Sequence, residues 1–85
     1  MIYKITLLFG NGFEAIYPSV DVYIETKRST EKFCHDALGE GGVWIYDIAT
    51  ETSQITHNRN ILRAQVEKVD PADVVQTPYV VKSVK

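Results

Sequence analysis

The chain has few of the residue types that build metal sites, disulfides or covalent catalysis. One cysteine and two histidines occur in 85 residues, so neither a disulfide nor a cysteine-based zinc site can form within one chain. His35 and His57 lack the spacing typical of metal ligands. The eleven acidic residues are dispersed, without the pairing that acid–base catalysis uses. We therefore predict no catalytic residues, no metal and no cofactor.

Long hydrophobic runs are also missing. No apolar stretch approaches the roughly 18 to 20 residues that a transmembrane helix needs, and the first residues lack the basic region and long apolar stretch of a signal peptide. The single cysteine is typical of a reducing compartment. We therefore predict a cytoplasmic protein without membrane contact.

Basic residues are not in excess either. Nine Lys and Arg residues against eleven Asp and Glu give a formal net charge of −2, which counts against a protein devoted to the phosphate backbone of nucleic acids. A hydrophobic content of 45% and a charged content of 24% are typical of a globular domain. At this length the core is thin, with a net stability of about 5 to 8 kcal/mol that oligomerisation would increase.

What the sequence does contain is β-strand pattern. Residues 2–9 and 13–17 are rich in β-branched and aromatic residues and are separated by Gly10-Asn11-Gly12. Since glycine and asparagine supply the positive φ of tight turns, this pattern predicts a hairpin. The alternation in Val20–Glu25 predicts a third strand.

One short helix is predicted after these strands. Ser29 or Thr30 is suited to capping its N-terminus, and it would end at Leu38 with Phe33 and Ala37 in its buried stripe. The glycine-rich segment 39–42 would terminate it.

Three further strands are predicted after the helix. Residues 43–49 have the Trp, Tyr and Ile content of a central strand, and 54–57 would form a hairpin with it. Residues 61–69 alternate, with Leu62, Ala64 and Val66 expected on the buried face. Helix is the alternative for 61–69, because its Leu, Arg, Ala, Gln and Glu are good helix formers.

The chain from Pro71 onward is predicted to be a separate C-terminal element. Asp70-Pro71 cannot continue a strand ladder, whereas residues 79–84 have strand composition. We predict a single β-rich domain over 1–70 and, over 71–85, a tail or edge-strand arm that pairs with its own sheet or a neighbour's. The fold class is mainly β (α+β): a small curved antiparallel sheet or partly open barrel with one short helix, in the order β-β-β-α-β-β-β plus the tail.

A polar turn is the candidate ligand-binding or partner-binding site. It consists of His57, Asn58, Arg59, Asn60 and the nearby Arg63. Guanidinium groups bind carboxylate or phosphate in forked fashion, so a nucleic-acid or nucleotide contact is one interpretation. Asparagine is also typical of left-handed turns, so a purely structural loop is the other. Lys27, Arg28 and Lys32 would join the site if the helix entry lay near it.

Exposed aromatic side chains are the second candidate feature. Tyr23, Tyr46 and Tyr79 are not distinguished by pattern, and we include Tyr79 among the candidate partner-binding residues. Tyrosine and tryptophan anchor protein partners and also stack on bases.

The third interpretation is a small enzyme that uses His57 or the Cys34-His35 pair. Adjacent residues on a helix point about 100° apart, so these two side chains cannot form one catalytic hydrogen bond. Cys34 is then a small buried residue.

These observations favour a non-enzymatic, self-associating binding module that acts through protein–protein contacts. A nucleic-acid or nucleotide-binding β protein is the alternative. The small size suggests an accessory protein of a phage or other mobile element that antagonises a host factor, which is a hypothesis from size and composition alone.

Overall fold

A computed structural model describes residues 2–39 and 41–84 and confirms the mainly β fold class, with six strands and one α-helix. The elements are β1 (Ile2–Phe9), β2 (Ser19–Ile24), α1 (Lys27–Gly39), β3 (Gly42–Asp47), β4 (Thr52–His57), β5 (Ile61–Val69) and β6 (Tyr79–Val84). Glu40, within the predicted helix terminator, and Lys85 lie outside the described residues. In the described part of the chain no helix is long and apolar enough to cross a membrane.

The strands form two antiparallel sheets that do not close into a barrel. Sheet A has the order β2-β1-β5 and sheet B the order β4-β3-β6. β3 is the central strand of sheet B, as predicted. The C-terminal strand β6 pairs with β3 of the same chain, with Asp47 opposite Tyr79 and Gly42 opposite Val84.

The core lies where the inner faces of both sheets meet α1. Ile5 and Leu7 of sheet A and Val43 and Ile45 of sheet B have no exposed surface. Alternate residues of a strand point to opposite faces, so these four side chains define the inner face of each sheet. The predicted helix stripe is confirmed at its centre, since Phe33 and Ala37 of α1 are buried in the same cluster.

The predicted second strand, residues 13–17, is wrong. Asn11 and Gly12 do adopt positive φ, but the chain then forms a 3-10 turn over Phe13–Ala15, and β1 pairs with β2 instead. The backbone N–H groups of this segment are used within it: that of Phe13 donates to the Gly10 carbonyl oxygen, and those of Ile16 and Tyr17 donate to the Phe13 carbonyl oxygen. They therefore do not pair with β1. The Phe13 ring also packs edge-on to Phe9, with centroids 4.9 Å apart.

The helix begins earlier than predicted, because Thr26 precedes its first turn. The Thr26 Oγ1 atom accepts from the backbone N–H of Ser29 at 3.1 Å, an N-cap interaction that satisfies one of the unpaired donors of a first turn. Thr30 instead lies inside the helix, where it is buried and donates its hydroxyl to the Thr26 carbonyl oxygen at 2.8 Å.

Residues 61–69 form a strand, so the helical alternative is wrong. The expected burial pattern is also wrong in part, since Leu62 and Val66 are exposed and Ala64 is half-buried. β5 is an edge strand of sheet A, and a register shift between Leu8 and Phe9 of β1 falls opposite its start. An edge strand next to such an irregularity covers less of the core than a central one.

Candidate functional site

The predicted polar turn, a 3-10 turn over Asn58–Asn60, connects sheet B to sheet A. Its amide side chains are hydrogen-bonded within the protein: Asn58 Nδ2 donates to the Leu38 carbonyl oxygen at 3.2 Å, and Asn60 Nδ2 donates to Thr56 Oγ1 at 3.0 Å. The ring of His57 accepts from the Arg59 backbone N–H at 3.2 Å. These contacts hold the crossover between the sheets against the end of α1, and a ligand-binding role for the turn stays a prediction.

The other predicted site residues do not gather at this turn. Arg63 lies on β5 opposite Leu8 of β1. Tyr79 pairs with Asp47 at the far end of β3 from Gly42 and His57, which is about 16 Å away along the strand. The end of α1 near the turn is its C-terminal end, where Asn58 contacts Leu38. Along the helix axis Lys27 and Arg28 lie about 15 Å or more from Leu38, and Lys32 lies about 9 Å from it.

Tyr79 instead joins the two sheets. Its hydroxyl accepts from the backbone N–H of Asp21 on β2 at 3.0 Å, and its ring packs edge-on to Tyr17 with centroids 6.1 Å apart. Burial raises the pKa of Tyr79 above its usual value, although the hydrogen bond from Asp21 opposes this shift. Burial likewise raises the pKa of Tyr17, and the nearby Asp47 carboxylate adds to it.

Replacing Tyr79 with phenylalanine is expected to lower the free energy of unfolding by about 1 kcal/mol at neutral pH, because the Asp21 N–H loses its acceptor. A tyrosine whose pKa is raised on folding contributes stability below its unfolded pKa near 10, and this stability is lost as the pH rises above that value. Stability of the variant should therefore fall less steeply above pH 10 than that of the parent.

Urea unfolding at neutral and alkaline pH measures both effects of the Tyr79→Phe change. Tyr23→Phe is the matched control, since Tyr23 is a half-buried tyrosine on β2. Equal losses in the two variants would contradict the bridging role of the Tyr79 hydroxyl.

Cys34 and His35, the residue pair of the enzyme alternative, have different environments on α1. Cys34 packs against the core, and burial raises the pKa of its thiol, which disfavours the thiolate that a nucleophile needs. His35 lies at the surface, with its Nδ1 atom 3.7 Å from Asp36 Oδ1. Among the described residues no three histidine, cysteine or acidic side chains come together to hold a metal ion.

The outer face of sheet B carries a cluster of half-buried aromatic and exposed aliphatic side chains. The Trp44 and Tyr46 rings stack with centroids 6.0 Å apart and planes 23° apart. Lys82 places its Nζ atom 5.6 Å from the centroid of the Trp44 ring. Ile55 of β4 lies opposite Trp44 and is 69% exposed, and Val80 of β6 lies opposite Tyr46 and is 40% exposed. We call these five residues the sheet B surface.

An apolar groove adjoins this surface. It has a volume of about 400 Å³ and lies between β2 and β6. Ile48, Val74, Val75 and Val80 line it and are all exposed large hydrophobic residues. Because Val80 belongs to both features, the sheet B surface and the groove form one continuous apolar region.

The sequence contains a signal for this region. Residues 43–49 are apolar on both faces of the predicted strand except at Asp47, a pattern typical of a sheet covered on both sides. In the structure the inner face, with Val43 and Ile45, is fully buried, whereas Trp44 and Tyr46 on the outer face are half-buried. A strand that is apolar on both faces in a chain with one helix is therefore the feature that indicates an exposed interaction surface.

No family model, curated protein or solved structure matches this chain.

Proposed function

We propose that the protein is a non-enzymatic, self-associating binding module that acts through protein–protein contacts made by the sheet B surface and the adjoining groove. The observation that carries the proposal is the half-buried Trp44–Tyr46 stack on the outer face of sheet B, flanked by the exposed Ile55 and Val80. Contiguous exposed apolar patches mark interaction sites, and tryptophan and tyrosine supply much of the energy at protein interfaces.

The groove supports the same proposal, because it offers room for side chains of a partner. Apolar side chains from two elements line it: Ile48 follows β3, and Val74 and Val75 precede β6. A partner that covers the sheet B surface could place one hydrophobic side chain into this groove.

Selection from a random peptide library tests the proposal. We expect peptides selected on the immobilised protein to change Trp44 fluorescence on binding and to lose at least tenfold in affinity for the Trp44→Ser variant, since truncating an interface tryptophan costs about 2 kcal/mol or more. Leu62→Ser is the matched control, because Leu62 is 65% exposed on sheet A. Selected peptides that depend on Leu62 and not on Trp44 would contradict the proposal.

Binding of single-stranded nucleic acid is the second candidate, and one observation favours it. Aromatic rings on the outer face of a sheet, with a cation beside them, are typical of platforms on which bases stack, and the half-buried Trp44 and Tyr46 have this arrangement with Lys82. The predicted arginine contacts lie elsewhere, since Arg63 is on sheet A. Titration with a poly(U) oligomer at low and high salt tests it: binding that falls steeply with salt and depends on Trp44 would favour this function.

A further inference from the structure

The two sheets have four edge strands, β2 and β5 in sheet A and β4 and β6 in sheet B. An unpaired edge presents backbone N–H and C=O groups to which another strand can pair, and proteins protect such edges with charges, prolines or covering side chains. One of the four edges lacks this protection and is open to pairing.

Three of the edges carry such protection. β5 contains three charged residues among its nine, and β6 contains Lys82. The β2 edge is covered where the Asp21 N–H donates to the Tyr79 hydroxyl. β4, with the sequence Thr-Ser-Gln-Ile-Thr-His, contains no lysine, arginine, acidic residue or proline.

The direction of the β4 backbone groups follows from the register of sheet B. The Ile48 N–H, just after β3, donates to the Pro78 carbonyl oxygen at 3.0 Å. Because the backbone groups of successive residues point to opposite sides of a strand, the even-numbered residues of β3 form their backbone hydrogen bonds with β6. The odd-numbered residues of β3 form theirs with β4. The β4 residues opposite the odd-numbered ones are Thr52, Gln54 and Thr56. The backbone groups of Ser53, Ile55 and His57 therefore point to the open edge.

Because only alternate residues of β4 have outward backbone groups, one register is favoured for pairing with β4 of a second copy. When two β4 strands meet antiparallel with Ile55 opposite Ile55, Ser53 of each copy lies opposite His57 of the other. All of these residues have outward N–H and C=O groups, and facing pairs of this kind exchange two hydrogen bonds each. The contact is self-complementary, as a two-fold interface requires.

Charge complementarity supports the same register. Glu51 immediately precedes β4, and Arg59 lies in the turn that follows it. The antiparallel register therefore brings Glu51 of each copy to the same end of the interface as Arg59 of the other. Within one chain these two residues lie beyond opposite ends of β4, more than about 16 Å apart. At each end of the interface a negative charge of one copy is thus near a positive charge of the other, and this favours the antiparallel alignment.

We infer that β4 pairs with β4 of a second copy of this chain, about a two-fold axis at Ile55, joining two copies of sheet B into one six-stranded sheet. The inference rests on the proposed function, because it names a partner for the sheet B surface. The pairing brings the exposed Ile55 side chains of the two copies together and makes their Trp44–Tyr46 surfaces continuous.

Sedimentation equilibrium between about 10 μM and 1 mM protein tests the pairing, since small interfaces associate weakly. We expect a monomer–dimer equilibrium whose Kd rises at least tenfold in Ser53→Pro, because proline removes an outward N–H and leaves the β3–β4 ladder intact. Ser83→Pro is the matched control, because Ser83 has an outward N–H on the β6 edge. The dimer Kd of this variant should equal that of the parent protein. Circular dichroism establishes that both variants fold.

Charge exchange gives a second test without proline. Glu51→Arg and Arg59→Glu should each weaken the dimer, and the double variant should restore it, because the pair is reformed with the signs reversed. A monomer at every concentration, failure of the double variant to restore association, or equal weakening by Ser83→Pro would overturn the inference. If selected peptides still bind at Trp44 in that case, the proposed protein-binding function is retained without the β4 pairing.

Discussion

Replacing Gly42 with alanine is expected to lower the free energy of unfolding by about 3 kcal/mol, a large part of the stability of a domain of this size. Gly42 has a φ of 125°, a conformation that side-chain-bearing residues rarely adopt. A Cβ atom there would overlap the Thr56 carbonyl oxygen and would lie 3.0 Å from the Asn58 backbone nitrogen. Both neighbours are backbone atoms, so relief requires β4 to move away from β3.

Gly39 provides the matched control for this substitution. It is the last residue of α1, and a Cβ atom there would meet no other atom within 4 Å. Because alanine favours the helix over glycine by up to about 1 kcal/mol, Gly39→Ala should leave stability unchanged or raise it slightly. Thermal unfolding measures the contrast, with a melting temperature about 15 °C lower for Gly42→Ala. A decrease of only a few degrees would contradict the close approach of β3 and β4 at this corner.

The glycine-rich segment illustrates how much of the fold the sequence predicts. Its composition predicts that the helix ends there, and α1 does end at Gly39. The need for glycine at position 42 could not be predicted, because it arises from the approach of Thr56 and Asn58, which are distant in sequence. Local pattern thus gives the end of an element but not the tertiary contact that constrains one residue within it.

The strands were predictable where one face is buried and the other is not, since alternation has the period of a strand. The same alternation misled at residues 13–17, where Phe13 is buried, Tyr17 is half-buried and Ile16 is exposed. The Phe13 N–H donates to the Gly10 carbonyl oxygen, and the Tyr17 N–H donates to that of Phe13. The choice between strand and turn depends on which segment pairs with β1, and the observed partner, β2, lies beyond residues 10–17.

The candidate site was harder to predict than the fold. The polar turn at His57–Asn60 is a candidate site because its residues can bind ligands. The same side chains also form hydrogen bonds with backbone atoms at the crossover between the sheets. The sheet B surface consists of residue types typical of a core, and only the arrangement of layers decides whether they are covered. α1 contacts the inner side of the fold, so in the described part of the chain Trp44 on the outer side is covered only by neighbouring side chains such as Tyr46 and Lys82 and stays half-buried.

Replacing Ile45 with alanine is expected to lower the free energy of unfolding by about 3 to 4 kcal/mol, the range for a large aliphatic side chain removed from a packed core. Ile45 has no exposed surface and lies at the centre of β3, between Gln54 of β4 and Val81 of β6. The chain is too small to close the cavity by moving other layers, so most of the loss should remain after relaxation.

Ile55→Ala makes the same chemical change on the neighbouring strand, and it separates the inner face of sheet B from the outer one. Ile55 is 69% exposed, so its replacement should cost less than about 1 kcal/mol through lost strand propensity and contact with Trp44. Urea unfolding at low micromolar concentration, below the expected dimer range, compares the two variants. Equal losses would mean that the outer face is covered within the monomer, and would remove the exposed surface on which the proposed function depends.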